Sequence, residues 1–178
     1  MSCKIKEYAD ELQATARNLA TAGKDILAVD ESTNTCGKRL ADIGLENTEE
    51  NRQAYRGMLF TAPDLGRYIS GAILFEETLY QNHADGESMV EKLNKQGIIP
   101  CIKVDKGLKP LVGALHHETY CSGLDGLTER AAKYMNKVQD LQNGEQYYKS
   151  QRMAHLILQL KKMHGVLQDM LVQFKKQD

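Results

Sequence analysis

No stretch of this chain approaches the ~20 consecutive apolar residues that a bilayer span requires, so no membrane partner is expected. A basic excess is also missing: 23 Lys and Arg face 24 Asp and Glu, for a formal net charge of −1. Such a balance offers no general attraction to nucleic acid. The amino terminus, MSCKIKEYADELQ, has neither the apolar core of a secretory signal nor the Ser/Arg-rich, acid-poor character of a transit peptide. Cysteines are few and scattered. Cys3, Cys36, Cys101 and Cys121 show no C-x-x-C spacing, which points to reduced, structural thiols and a reducing compartment such as the cytosol. His116 and His117 with Cys121 form the one metal-like grouping. Adjacent histidines cannot point the same way on a strand or helix, so no metal is assigned there. Tryptophan is absent altogether, an absence that matters below.

What is present is a soluble globular composition, 42% apolar over 178 residues, enough for one domain with a sizeable core. Its most informative segment is Gly97 to Gly107, GIIPCIKVDKG. The aliphatic run through Ile98, Ile99, Ile102 and Val104 reads as a strand covered on both faces. Lys103, Asp105 and Lys106 stand at its end. A charge in that position is costly unless paired or used. The pattern occurs twice upstream. Asp25 to Val29 ends in Asp30-Glu31-Ser32, and Ser70 to Phe75 ends in Glu76-Glu77-Thr78. Strand, charged end and helix in repetition describe parallel β/α units. Parallel strands share a direction, so Asp30, Glu77, Lys103 and Asp105 are expected on one rim of the sheet.

The connecting segments carry helical signals. Residues 5–21 place Tyr8, Leu12, Ala16 and Leu19 at helical spacing. Residues 46–60 open with Asn47-Thr48-Glu49-Glu50, an N-terminal cap with acids in the first turn. Glu87 to Lys95 reads as a further helix, and Thr128 to Tyr134 as another. Ser32 to Leu40 reads as a polar loop leading to Lys38 and Arg39, either plainly solvated or presenting N–H groups and positive charge to an anion. Gly107 to Cys121 reads as loop. From Asn136 the composition shifts toward Gln, Lys, Leu and Met. Met153, Leu156, Leu160, Met163, Leu167, Met170 and Phe174 then recur at steps of three and four. That stripe fits a helix packed on its own domain or an oligomerisation helix.

Six blocks in order, ILAVDEST (26–33), CGKRL (36–40), ENTEENRQAYR (46–56), GAILFEETLYQ (71–81), IKVDKG (102–107) and GLDGLTER (123–130), resemble the amino-terminal part of a class I fructose-bisphosphate aldolase of plant or algal type. Several long blocks at consistent spacing are far more specific than one short motif. The resemblance implies an α/β fold, about three amino-terminal units of a (β/α)8 TIM barrel in residues 1–134, followed by an unrelated helical tail in residues 135–178. It implies reversible cleavage of fructose 1,6-bisphosphate to dihydroxyacetone phosphate and glyceraldehyde 3-phosphate, with neither metal nor other cofactor. By residue, it implies catalytic roles for Asp30 and Lys103 and contacts from Lys38 and Arg39 to a substrate phosphate. Partners implied are the sugar bisphosphate and further aldolase-type subunits, in the cytoplasm or a plastid.

Beyond Tyr134 the family pattern stops. The family's Lys-Trp-Arg strand, its paired glutamates and its iminium-forming lysine have no counterpart here. Carbon–carbon cleavage beside a carbonyl needs an electron sink, which an amine supplies as an iminium. A shortened family member of this kind is expected to be inactive alone. A reading from a different class is a non-catalytic interaction protein that uses the patterned tail.

Overall fold

The computed structural model describes residues 9–113 and 118–143. At its centre is a parallel sheet of three strands in the order β1–β2–β3: β1 is Asp25–Val29, β2 is Ile69–Leu74 and β3 is Ile99–Ile102. The register aligns Val29 with Leu74 and Leu74 with Ile102. Asp30, Phe75 and Lys103 are therefore the first residues beyond the ladder on three neighbouring strands.

The apolar runs form strands because both faces can be covered. Val29, Ala72, Leu74, Ile98 and Ile102 are buried in one cluster with Phe60, Leu79, Met89 and Leu93 from the helices. At ~1.5–3 kcal/mol for each large aliphatic side chain removed from water, this cluster dominates the favourable side of folding. The opposite face is less covered at β1, where Ile26 is 48% exposed.

The helices follow their caps. Helix α1 (Ala9–Leu19) lies against the start of the sheet, where Ser70 Oγ donates to the Leu19 carbonyl at 2.7 Å. A Cβ on Gly71 would come within 2.4 Å of Leu19, which explains a glycine inside a central strand. Helix α2 (Thr33–Ala41) replaces the loop expected from Ser32 to Leu40. The small polar residues that suggest a loop act as a cap instead: Ser32 Oγ accepts from the Thr35 N–H, while Cys36 and Leu40, four residues apart, bury one face. Helix α3 (Glu49–Phe60) starts at Thr48, whose hydroxyl accepts from the Asn51 N–H, and buries Arg52, Arg56, Gly57 and Phe60 along one side.

Two short helices, α4 (Leu65–Tyr68) and α5 (Glu76–Tyr80), flank β2. They are too brief to show a helical period in sequence. Helix α6 (Met89–Lys95) begins with a full capping box between Ser88 and Glu91. After β3 the segment expected to be loop contains an antiparallel hairpin, β4 (Leu108–Pro110) with β5 (Thr119–Cys121), exposed along its length. Strands of three exposed residues carry no alternation for a reader to detect. Helix α7 (Leu127–Asn143) runs beyond Tyr134, where the expected helix stops, and buries Val138 in the core. Cys3, His116, His117 and the apolar stripe from Met153 to Phe174 lie outside the described residues.

Candidate active site

The aligned strand ends create the site. Asp30 and Lys103 are two strands apart, roughly 10 Å between backbones. Residues in register in a parallel sheet share a face, so the long lysine side chain can cross the gap. Lys103 Nζ lies 3.4 Å from Asp30 Oδ2 and 2.6 Å from Asp105 Oδ2. Asp105 is itself held by the Gly107 N–H, which donates to Oδ1 at 3.0 Å. Partial burial alone would depress the Lys103 ammonium, but the carboxylates of Asp105 and Asp30 outweigh it and hold its pKa above the ordinary lysine value. The hydrogen bond from Lys103 holds Asp105 below the usual carboxylate range, against the opposing effect of its partial burial.

This electrostatic state decides what Lys103 can do. An amine that attacks a carbonyl must be neutral, which requires a depressed pKa. Lys103 is the opposite, a fixed ammonium suited to holding an oxygen or stabilising developing negative charge. It stands on a cavity of about 350 Å³ that is also lined by Ser32, Phe75, Glu76, Asp105, Arg130 and Tyr134. Burial and the Glu76 carboxylate push the Tyr134 phenol up to about 12, so it remains a neutral donor at physiological pH.

A second ionic group stands beside the first. Arg52 donates through Nε and Nη2 to both oxygens of Glu77, at 3.0 and 2.6 Å, and Arg56 Nη1 donates to Glu77 Oε2 at 2.9 Å. The Arg52 hydrogen bond, with Arg56, keeps the Glu77 carboxyl below its ordinary range despite partial burial. Glu77 thus follows a strand end as expected, but its carboxylate turns to the arginines of α3 and not to Lys103. Glu31 likewise turns aside, to Arg39 at 2.6 Å.

Lys38 and Arg39 occupy the last turn of α2, and both are exposed. Consecutive helical residues point about 100° apart, so they do not converge as a pair, and neither lines the cavity of Lys103. Arg39 is engaged by Glu31 and by the Tyr55 hydroxyl at 2.8 Å. Lys38 has no ion pair among the described residues.

Sequence reasoning assigns no site role to four cavity residues: Phe75, Glu76, Arg130 and Tyr134. Arg130 ties the wall together, donating to the carbonyls of Val104, Gly123 and Asp125 at 3.1, 2.6 and 2.8 Å. Gly123, at φ +127°, lets the chain pass close to the Val104–Lys106 backbone, where a Cβ would meet Lys106 N and Val104 O at 2.9 Å. The i, i+4 spacing of Arg130 and Tyr134 on one helix was the available signal.

Comparison with known proteins identifies the family. A family model described as fructose-bisphosphate aldolase class-I matches residues 11–150. The chloroplastic fructose-bisphosphate aldolase 1 of Arabidopsis thaliana is 65% identical over 127 residues, 71% of this chain and 32% of that protein. The chloroplastic aldolase of Oryza sativa subsp. japonica is 64% identical over 134 residues, 75% of this chain and 34% of that protein. A solved fructose-bisphosphate aldolase from Plasmodium falciparum, in complex with TRAP and a small-molecule inhibitor, superposes with a TM-score of 0.70 at 52% identity, covering 74% of this chain and 38% of that one. The chain spans about a third of the length of the curated relatives it matches. With a domain match over most of its length and charged residues gathered on parallel strand ends, the chain belongs to the class I fructose-bisphosphate aldolase family.

Proposed function

We propose that this chain carries the first three β/α units of an aldolase barrel, and with them the Asp30–Lys103 corner of a site for fructose 1,6-bisphosphate. One observation supports the reading above the others: Lys103 Nζ within 3.4 Å of Asp30, on a cavity at the carboxyl ends of parallel strands. In this reading Lys103 holds a substrate oxygen as a permanent cation and Asp30 handles a hydroxyl proton. Lys38 and Arg39 contact a phosphate, which Arg39 can do only by competing with Glu31. The barrel part is taken as residues 1–134, with residues 135–178 as tail, the junction falling inside helix α7, whose Val138 still packs in the core. Plant relatives that are chloroplastic aldolases support a plastid setting. Association with aldolase subunits would supply further strands.

The iminium-forming lysine has no counterpart here, so cleavage by this chain alone is not expected. The test pairs binding with chemistry. Titration calorimetry should detect fructose 1,6-bisphosphate binding that weakens by ~10-fold in Lys38→Ala or Lys103→Met, the scale of one charge-assisted hydrogen bond. Borohydride should trap no adduct. Absence of binding removes the substrate-site reading, and turnover with a trapped adduct overturns the expected inactivity.

A further inference from the structure

Arg56 is fully buried, at 0% exposure, although it ends in a guanidinium. Its Nη1 donates to Glu77 Oε2 at 2.9 Å and its Nη2 to the Glu31 carbonyl at 2.8 Å. Its Cζ lies 5.2 Å from the centroid of the Phe75 ring. Nε has no hydrogen-bond partner among the described residues. Arg56 does not line the Lys103 cavity, yet each group it holds adjoins that cavity or the Asp30–Lys103 pair. Glu31 follows Asp30, Glu77 follows Glu76, and Phe75 forms part of the wall.

A buried ion pair is a poor device for stability alone, because desolvation consumes most of its Coulombic attraction and apolar residues of like volume often do as well. An apolar side chain, however, cannot grip a carbonyl oxygen. Directional, charge-assisted bonds to two chain segments fix those segments relative to each other. The need for such fixing shows in the distances. Lys103 to Asp105 is short at 2.6 Å, within one strand end, whereas Lys103 to Asp30 is 3.4 Å across the sheet. A drift of roughly 1 Å at the end of β1 would break the second contact as a hydrogen bond.

We propose that Arg56 is a positioning residue: by tying the Glu31 carbonyl to Glu77 and Phe75, it sets the backbone from which Asp30 reaches Lys103. The inference rests on Asp30 and Lys103 being the working pair, but its test does not depend on substrate. Charges around Lys103 that bear on the readout are Asp30, Asp105, Glu76, Lys106 and Arg130.

The test is a double-mutant cycle in the full chain, read as the rate of Lys103 acetylation by limiting acetic anhydride at about pH 8, by peptide mass spectrometry with Lys109 as internal reference. That rate follows the fraction of neutral amine. Asp30→Asn should raise it about threefold, the equivalent of half a pKa unit. Arg56→Met should produce most of the same rise and add nothing in the Asp30→Asn background. Arg56→Lys, which can reach one partner but not both, should fall between. A folded Arg56→Met chain with the wild-type rate, or one whose effect persists undiminished beside Asp30→Asn, overturns the proposal. If Arg56→Met does not fold, Arg56→Lys and Glu77→Gln carry the test, and a wild-type rate in both overturns it equally. Loss of stability with no change at Lys103 means a structural role only. Failure of sugar bisphosphate to bind would count against the substrate-site reading and leave this cycle intact.

Discussion

The Lys103–Asp105 contact makes stability depend on pH in two directions, and the signs follow from the shifts. The Asp105 carboxyl is lowered, so its contribution is complete above its ordinary value and is lost as pH falls through the folded one. The Lys103 ammonium is raised, so its contribution is complete below about pH 10.5 and is lost as pH rises through the folded value. The Lys103 and Asp105 side chains are 25% and 34% exposed. Solvent screening then limits the pair to ~0.5–1 kcal/mol. Asp105→Asn should therefore flatten the acid limb of urea stability below about pH 4 by that amount. An unchanged acid limb would show that the pair is energetically silent. The pairing partners themselves were legible as charges on strand ends. Which charges meet was not: Glu77 and Glu31 occupy the same kind of position as Asp30 but go to arginines instead, Glu77 to Arg52 and Arg56 of α3 and Glu31 to Arg39 of α2.

Among elements, caps and close approaches decide the outcome more than hydrophobic period does. Ser32, Thr48 and Ser88 each start a helix by accepting a backbone N–H. The cap at Thr48 stands out in sequence because acids follow it, whereas Ser32 is hidden among small polar residues that also make loops. The loop beyond β3 depends on Gly123. Gly123→Ala would combine left-handed strain with contacts of 2.9 Å to Lys106 N and Val104 O. It should cost ~1–3 kcal/mol of stability by urea denaturation. Gly44→Ala is the control, since Gly44 has φ +72° but open space around the added carbon. It should cost less, and equal losses would mean that the close approach at Gly123 has no energetic consequence. The arginine pair of α3 follows the same lesson: spacing of four puts Arg52 and Arg56 on one face, and the strand ends make that face the buried one.

For the molecule as a whole, the sheet is unevenly protected. β2 is hydrogen-bonded to β1 on one side and β3 on the other, and five of its six residues are buried. β1 has one paired edge among the described residues and only Val29 is fully buried within it. Amide hydrogen exchange should find the slowest protons in β2, with β1 and the β4–β5 hairpin exchanging faster by an order of magnitude or more. Uniform protection across the three strands would show that the β1 edge is covered. A family barrel closes on eight strands, and the described residues hold three parallel ones.

Sequence alone determined the three parallel strands, their shared direction and the gathering of charges at their ends, because apolar runs, caps and strand-end ions are local features that repeat along the chain. Its long matching blocks also determined the family. Only the tertiary structure decided the partners: Asp30 with Lys103, Glu77 with Arg52 and Arg56, Arg39 with Glu31. Those choices depend on register between strands and on the helix lying beside them. Both are set by packing between residues far apart in the chain, which no local pattern encodes.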